Sequence, residues 1–302
     1  MIKEIREPSV AQYANEIRLN ALNIILDKGG GYLTQASSAA EILATLFARV
    51  LKLSLEKDSL PLECPIDSYV PFGGSAYYGE KSSLGDRLFI SPGHYAMALY
   101  CTLAAVGILS VEVLKAFGAD GSCLEAIGND FCPGFETNAG TLGQTISIAA
   151  GVALSRKNRL DSGKVYVFIS DGELQSGQTW EAIQAAAHYR LDNLVIVIDN
   201  NFHQVEGLTK DVMNVEDILD RLRAFGADTV RIDGHNPEDL AKAMLRQTPG
   251  KPNAVICDTD PSFNMDFLKE YEPFLHYFRI NDANRDSVEK QRHLLSGVKS
   301  YD

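Results

Sequence analysis

SDGELQSGQTWEAIQAAAHYRLDNLVIVIDNN, residues 170–201, joins two apolar runs through a segment with helical character. Residues 165–169 before it and residues 194–198 within it each fit a buried β-strand, and residues 178–189 fit the helix between them. The runs DTVRID and NAVICD follow later, again separated by helical segments. Continuous apolar strands with helices between them are typical of a parallel sheet covered on both faces. The sequence therefore predicts an α/β fold with a doubly wound, mostly parallel sheet and helices on both faces.

Asp171 and Asn201 stand at the carboxyl ends of two predicted neighbouring strands. Ligands of open α/β sheets bind at this end, and Gly172 permits a sharp turn there. A carboxylate, an amide oxygen and an adjacent backbone carbonyl suit Mg²⁺ or Ca²⁺ and leave about three octahedral positions for phosphate oxygens and water. The pattern therefore indicates a metal-bridged diphosphate. The alternative is a pair of structural turn residues, because Asp and Asn are common where strands end.

Composition narrows the choice of partners and compartment. The net charge of −12 and the pI of about 5.0 disfavour nucleic acid or an anionic membrane as the main partner. No apolar run reaches the roughly 18–20 residues that cross a bilayer, and the N-terminus lacks the apolar core of a signal peptide. The absence of a CxxC pair favours unpaired thiols at the five cysteines, Cys64, Cys101, Cys123, Cys132 and Cys257. We therefore expect a cytoplasmic protein without membrane or nucleic-acid partners.

Apolar periodicity outlines the rest of the chain. It predicts helices, one of them preceded by a short strand and a turn, in four segments: residues 11–26, 39–53, 89–107 and 142–157. Residues 55–87 and 118–140 are expected to be irregular. We expect residues 1–280 to form one diphosphate-binding α/β domain and residues 281–302 to form a C-terminal helical appendage.

The opening stretch resembles the thiamine-diphosphate signature, in which a Gly-Asp-Gly turn precedes an Asn-Asn pair by about thirty residues. Ser170 replaces the first glycine, whereas Asp171 and Gly172 are retained. The residues between the two ends of the motif look specifically like those of transketolase. Further segments resemble that family in the same order along the chain: FISPGH (89–94), AGTLGQ (139–144), FGA (225–227) and DGHN (233–236). The chain thus resembles the N-terminal, diphosphate-binding half of a transketolase.

The resemblance implies a set of site residues. Asp171, Asn201 and the backbone carbonyl of His203 would bind Mg²⁺, or Ca²⁺ in its place. Thiamine diphosphate would also be contacted by a wider group: His94, Gly140, Leu142, Gly172, Glu173 and His276. His94 would take part in catalysis at the diphosphate, and Glu181 would join a proton-relay network at a subunit interface. The alternatives are a helix-start role for His94 and a plain surface position for His276.

The resemblance also implies a partner. In the family, the glutamate that activates the cofactor lies on a second α/β domain, which binds the pyrimidine ring, and no such domain fits in this chain. We therefore expect a companion subunit that carries the pyrimidine-binding domain, in an α2β2 assembly with cofactors at the interfaces. Alone, the chain should bind the cofactor weakly and turn over nothing.

The substrate side departs from the family pattern. Tyr32 and Ile127 stand where transketolases have substrate-facing histidines, Ser176 replaces a relay glutamate, and residues 258–261 lack the family's Lys-Gly-Lys-Gly loop. Replacing imidazole by an aliphatic group removes a polar partner and favours a less polar substrate. The chain is therefore expected to serve a transketolase-like carboligase that transfers a two-carbon ketol or acyl unit to an aldehyde acceptor.

Two alternatives to this function stay open. A split thiamine enzyme could decarboxylate a 2-oxo acid before ligation, and CO₂ release from pyruvate would distinguish it from ketose cleavage. A non-catalytic scaffold subunit could retain the fold without the cofactor. A nucleotide-binding Rossmann protein is disfavoured, because no Gly-x-Gly-x-x-Gly follows a predicted strand.

Overall fold

A parallel sheet of five strands runs through the centre of the computed structural model, which describes residues 8–62 and 73–297. Within these residues the strands are β1 (Gly30–Gly31), β2 (Arg87–Ile90), β3 (Val165–Ser170), β4 (Leu194–Asn200), β5 (His203–Gln204), β6 (Gly207–Leu208), β7 (Asp228–Asp233), β8 (Asn253–Asp258) and β9 (Phe278–Arg279). The α-helices are α1 (Val10–Lys28), α2 (Leu33–Ser38), α3 (Ala40–Thr45), α4 (Ala96–Ala105), α5 (Gln144–Arg159), α6 (Gly177–His188), α7 (Thr209–Met213), α8 (Ile218–Ala224), α9 (Pro237–Leu245) and α10 (Arg285–Gly297).

The strand order of the central sheet is β2-β3-β4-β8-β7, and each neighbouring pair is parallel. Helix α6 carries the chain from β3 to β4, which pair in a register that sets Ser170 opposite Asp199. The residues that follow both strands therefore meet at one edge of the sheet. This architecture confirms the predicted fold class.

Alternating strand residues bury both faces of the sheet. Tyr166 and Phe168 of β3 join the apolar cluster that contains α1, α3, α4, α9 and α10. Val167 and Ile169 point the other way and join the cluster formed with α5, α6 and α8. Because successive side chains of a strand face opposite sides, helices on both faces require strands that are apolar throughout. This requirement explains the uninterrupted apolar runs in the sequence.

The helix predicted over residues 39–53 is shorter than expected. Regular α-helix ends at Thr45, and residues Leu46–Val50 form a π-helical turn. The N–H of Leu51 donates to the carbonyl of Leu46, five residues earlier, at 2.8 Å. This bond widens the final turn, after which Leu51 is extended, so residues 51–53 are not helical.

A short pair of antiparallel strands, β1 and β9, joins the segment after α1 to the segment before α10. Gly30 pairs with Arg279, and a Cβ on Gly30 would lie 2.7 Å from the carbonyl oxygen of Phe278, so only glycine fits. The following helix α10 buries Val288 and Leu295 in the apolar cluster that contains α1. The proposed division at residue 280 stays a prediction, and residues 298–302 lie outside the described chain.

The cysteines differ in part from expectation. Cys101, Cys132 and Cys257 are free and buried. Cys123 is disulfide-bonded, so the expectation of an unpaired thiol is wrong at this position. Cys64 lies outside the described residues. In the part of the chain that the structure describes, no helix has the length and apolar character needed to cross a membrane.

Candidate functional site

Asp171 is held in one orientation immediately after β3. Its side chain is buried, with Oδ1 accepting the N–H of Gly172 at 2.9 Å and Oδ2 accepting the hydroxyl of Thr209 at 2.7 Å. Burial raises the pKa of Asp171 to about 7, against the opposing effect of these hydrogen bonds. A carboxylate at this position would therefore gain from a cation placed beside it.

Asn201 and His203 flank a tight turn after β4. Phe202 between them has a φ of +64°, a left-handed conformation that bulky residues seldom adopt, and its carbonyl accepts the N–H of Thr209 at 2.9 Å. Thr209 thus connects this turn to Asp171 through its backbone and its hydroxyl. Nδ1 of His203 lies 2.7 Å from the carbonyl oxygen of Asn201. Because a carbonyl only accepts, Nδ1 of His203 carries a ring proton.

Beneath Asn201 lies a buried carboxylate that the sequence did not single out. Asp199 Oδ1 accepts the hydroxyl of Thr259 at 2.5 Å, and Oδ2 accepts those of Ser38 at 2.7 Å and Tyr95 at 2.8 Å. Burial raises the pKa of Asp199, whereas the three hydroxyl donors lower it. The cluster ties the end of β4 to α2, to the turn before α4 and to the segment after β8.

Glu173 connects the Asp171 turn to two other loops. Its Oε1 accepts the hydroxyl of Ser91, directly after β2, at 2.5 Å and the N–H of Gly143, directly before α5, at 2.8 Å. The side chain is fully buried, and burial raises the pKa of Glu173 to about 7. Glu173 is predicted to bind the cofactor. In the structure its Oε1 accepts hydrogen bonds from two groups of the protein itself. Its Oε2 is buried without a partner among the described residues.

An aromatic cluster gathers His94 and His276. Their ring centroids lie 4.8 Å apart, and the ring of Tyr32 lies 5.5 Å from the first and 5.6 Å from the second. Burial, with a contribution from His276, lowers the pKa of His94 to about 3, and burial also lowers the pKa of His276. Nδ1 of His276 lies 3.2 Å from the amide nitrogen of Gln35, which only donates, so the ring proton of His276 lies on Nε2. Both imidazoles are therefore neutral near pH 7, and each has one N–H to donate.

Gly140 and Leu142 belong to a loop that packs on the turn before His94. Gly140 has a φ of +102°, and its N–H donates to the carbonyl of Ser91 at 3.4 Å. A Cβ on Gly93 would lie 2.8 Å from Cγ2 of Ile127 and 3.0 Å from the nitrogen of Gly140. Leu142 is partly exposed. The close approach of these backbones therefore requires Gly93, and it places Ile127 beside the residue that precedes His94.

Glu181 lies apart from the other predicted site residues. It is exposed on α6 and lines a groove of about 270 Å³ between α5 and α6, together with Gly151, Ala185 and Tyr189. The structure does not bring Glu181 together with Asp171 and Asn201. Its proton-relay role at an interface stays a prediction.

The donor set fits a hard cation that carries further ligands. Within residues 8–62 and 73–297, no group of three or more His, Cys, Asp and Glu side chains could hold a metal ion alone. One carboxylate and one amide oxygen are typical of a Mg²⁺ site completed by phosphate oxygens and water. Glu173 Oε2 and His203 Nε2, both buried near these residues, lack partners in the described chain. A polar ligand bound at this place would give both atoms a partner.

Several site residues carry no motif that sequence reasoning could use. Ser38, Tyr95, Thr209 and Thr259 reach the site from four separate loops and helix ends. Asp199 could have been noticed, because it is a carboxylate inside an otherwise apolar strand. A charge at such a position needs buried partners.

Comparison with known proteins identifies the family. The family model described as the thiamine diphosphate binding domain of transketolase matches residues 80–264. The chain belongs to the transketolase family, an assignment that confirms the resemblance in its sequence. Members of the transketolase family are transferases, and this domain of the family binds thiamine diphosphate.

Similar proteins include separate transketolase subunits. A transketolase family protein of Sinorhizobium fredii is 33% identical over 278 residues, 90% of this chain and 91% of that protein. A 6-deoxy-6-sulfo-D-fructose transketolase subunit of Clostridium sp. is 32% identical over 253 residues, 82% of either chain. The transketolase structure of Campylobacter jejuni superimposes with a TM-score of 0.76 at 24% identity, covering 95% of this chain and 43% of that one. This chain thus spans less than half of that transketolase chain.

Proposed function

We propose that this chain is the diphosphate-binding subunit of a split, thiamine-diphosphate-dependent transketolase-like enzyme. A divalent cation, Mg²⁺ or Ca²⁺, would be held by Asp171, Asn201 and the carbonyl of His203. The assembled enzyme would transfer a two-carbon ketol or acyl unit from a small donor to an aldehyde acceptor. The observation that carries the proposal is the junction made by Thr209, which joins the Asp171 carboxylate to the turn after Asn201.

The chain's own groups would divide the work of binding. The cation would neutralise diphosphate charge at Asp171, and Gly172 leaves backbone space there, since an added Cβ would meet only Gln204, at 3.8 Å. Neutral His94 and His276 would donate N–H groups to anionic oxygens without the cost of burying two more charges. When bound, thiamine diphosphate supplies the carbon–carbon bond chemistry, and the protein binds and orients it.

A companion subunit would complete the active site. Two similar proteins, from Phocaeicola vulgatus and Actinobacillus succinogenes, each carry the name of one subunit of an apulose-4-phosphate transketolase. By analogy, this chain would pair with a second polypeptide that carries the pyrimidine-binding domain and the activating glutamate, in an α2β2 assembly. Location in the cytoplasm and a role for Glu181 at the subunit interface belong to the same proposal.

Calorimetry with Mg²⁺ and thiamine diphosphate tests the proposal on the assembled complex. We expect saturable binding that requires both components and that is lost in Asp171→Ala. A folded complex that binds no thiamine diphosphate would overturn the proposal and favour a scaffold role. Asp211→Ala, at an exposed position of the nearby helix α7, is the matched control and should bind as the wild type does.

A second candidate is decarboxylation of a 2-oxo acid before ligation. Ile127 favours it, because this aliphatic side chain, which lies against Gly93, offers no hydrogen bond to a ketose hydroxyl. The reconstituted complex would be supplied with pyruvate and, separately, with ketose donors. Release of CO₂ from pyruvate supports the second candidate, and ketose cleavage without CO₂ supports the first.

A further inference from the structure

The side-chain amide of Asn201 is surrounded differently at its two ends. Nδ2 lies 3.2 Å from Oη of Tyr95, 3.4 Å from Oγ of Ser38 and 3.5 Å from Oδ2 of Asp199. Oδ1 instead accepts the N–H of His203 at 3.0 Å. Since an amide nitrogen only donates, the oxygens around Nδ2 must act as acceptors.

The acceptor role of the two hydroxyls is set by a third group. Tyr95 and Ser38 each donate their single proton to Oδ2 of Asp199, at 2.8 Å and 2.7 Å. A carboxylate has no proton to return, so both hydroxyls turn lone pairs toward Asn201. The hydrogen bonds therefore run in one direction, from Asn201 through the hydroxyls to Asp199.

The carboxylate itself has no freedom to rotate. Its other oxygen accepts the hydroxyl of Thr259 at 2.5 Å, and the Asp199 side chain is 0% exposed, so bulk water cannot take over these bonds. A buried polar network of this kind favours one arrangement of its members, because reversal would deprive the Asp199 carboxylate of its two hydroxyl donors at Oδ2, although Ser38 also lies 3.4 Å from the carbonyl of Gln35.

We propose that Asp199 is a positioning residue for the metal site, which orients the amide of Asn201 through the hydroxyls of Ser38 and Tyr95. The inference rests on the proposed metal site. In this orientation the amide oxygen points away from Asp199 and accepts the N–H of His203, the residue whose carbonyl is proposed to bind the cation. A reversed amide would present N–H groups to the cation, and N–H groups cannot act as its ligands.

A matched pair of variants isolates the effect of Asp199. In Asp199→Asn alone, the new side chain would turn its nitrogen toward Thr259 and keep its oxygen toward the two hydroxyls. Thr259→Val is therefore the parent, and Asp199→Asn is added to it, so that the new amide nitrogen faces Ser38 and Tyr95. The new amide nitrogen would donate to both hydroxyls, so their protons would point at Nδ2 of Asn201. Because two donors cannot face each other, the amide of Asn201 would then reverse.

Free Mn²⁺ would be measured by electron paramagnetic resonance during titration of the assembled complex with Mn²⁺ in excess thiamine diphosphate, against a protein-free blank of the same composition. We expect the double variant to bind Mn²⁺ at least about tenfold more weakly than its Thr259→Val parent. Thermal melts, run in parallel, separate metal affinity from stability. If the double variant does not fold, Tyr95→Phe combined with Ser38→Ala should show a similar loss relative to wild type.

The outcomes distinguish this inference from the function on which it rests. The role of Asp199, but not the metal site, would be overturned if the double variant bound Mn²⁺ as tightly as Thr259→Val. The same conclusion would follow if the variant without the Ser38 and Tyr95 hydroxyls bound Mn²⁺ as tightly as the wild type. An equally large loss in Thr259→Val would also overturn that role, because that variant leaves Oδ2 in place. A wild-type complex without Mn²⁺ binding in thiamine diphosphate would overturn the metal site and this inference with it.

Discussion

Thr209 donates its hydroxyl proton to Asp171 across 2.7 Å, and its own N–H donates to the carbonyl of Phe202 across 2.9 Å. One small residue at the start of α7 therefore fixes both a carboxylate after β3 and a strained turn after β4. The two strand ends are far apart in sequence, and the sheet brings them together. Thr209 sets the finer geometry between them.

Thr209→Val should weaken Mg²⁺-dependent binding of thiamine diphosphate by about tenfold at neutral pH. The variant removes a donor from a buried carboxylate, which raises the pKa of Asp171 above its present value of about 7 and leaves less of the ionised form that binds metal. Calorimetry on the complex measures the change. Thr209→Ser restores the hydroxyl and should bind nearly as the wild type does; equal affinities of the Val and Ser variants would contradict the prediction.

His94 should make the cofactor-free chain sensitive to acid. Burial lowers its pKa to about 3, below the roughly 6.5 of an unfolded histidine, so the unfolded chain binds more protons between these values. The contribution of neutral His94 to the free energy of unfolding is fully present above about pH 6.5 and is lost as the pH falls toward about 3. At about pH 5 the loss amounts to about 2 kcal/mol.

Urea unfolding of wild type and His94→Gln at about pH 7.5 and about pH 5 measures this effect. The free energy of unfolding should fall further in the wild type than in the variant, which cannot take up the proton. His293→Gln, in α10, is a control that should follow the wild type. A wild-type loss no larger than that of His94→Gln would show that His94 is not held neutral.

Glu173→Ala should destabilise the chain by about 3 kcal/mol, because it leaves the Ser91 hydroxyl and the Gly143 N–H buried without their acceptor. Glu173→Gln keeps an oxygen and should cost about 1 kcal/mol near pH 6. The pKa of Glu173 is raised to about 7, so its stabilising protonation is lost as the pH rises through that value, whereas Gln is unaffected. In chemical denaturation, the free energy of unfolding of Glu173→Gln should therefore rise relative to that of the wild type between about pH 6 and about pH 8.5. A difference that does not change with pH would contradict this prediction.

The sequence was sufficient for the sheet and for the ends of its strands, because burial on both faces demands the apolar runs at residues 165–169 and 194–198. It was insufficient for Thr209 and Tyr95, since their roles depend on loop paths that no local pattern encodes. The π-helical turn after Thr45 was missed for a related reason. Its hydrogen bond is selected by packing, and its residues are ordinary helix formers.

Ile127→His should shift donor preference toward ketoses. Cγ2 of Ile127 lies against Gly93, which precedes His94, and against Gly140, so we expect a side chain at this position to reach the proposed donor site. An imidazole there would supply a hydrogen bond that the aliphatic group cannot, and a gain of about 1–1.5 kcal/mol corresponds to about tenfold in relative kcat/KM for ketose over 2-oxo acid donors. Product analysis on the reconstituted complex measures the ratio.

The control for this change is Ile127→Leu, which keeps the apolar character and volume and should leave the donor ratio unchanged. Tyr32 provides the complementary comparison, because its ring packs against both histidines and burial raises its pKa, which keeps the phenol protonated and able to donate. Tyr32→Phe removes only that donor. If the phenol takes over the polar contact that Ile127 cannot make, Tyr32→Phe should raise KM for a ketose donor several-fold with kcat little changed, and Ile127→His should restore KM in the double variant. Failure of both changes to alter the donor ratio would place donor selection on the companion subunit.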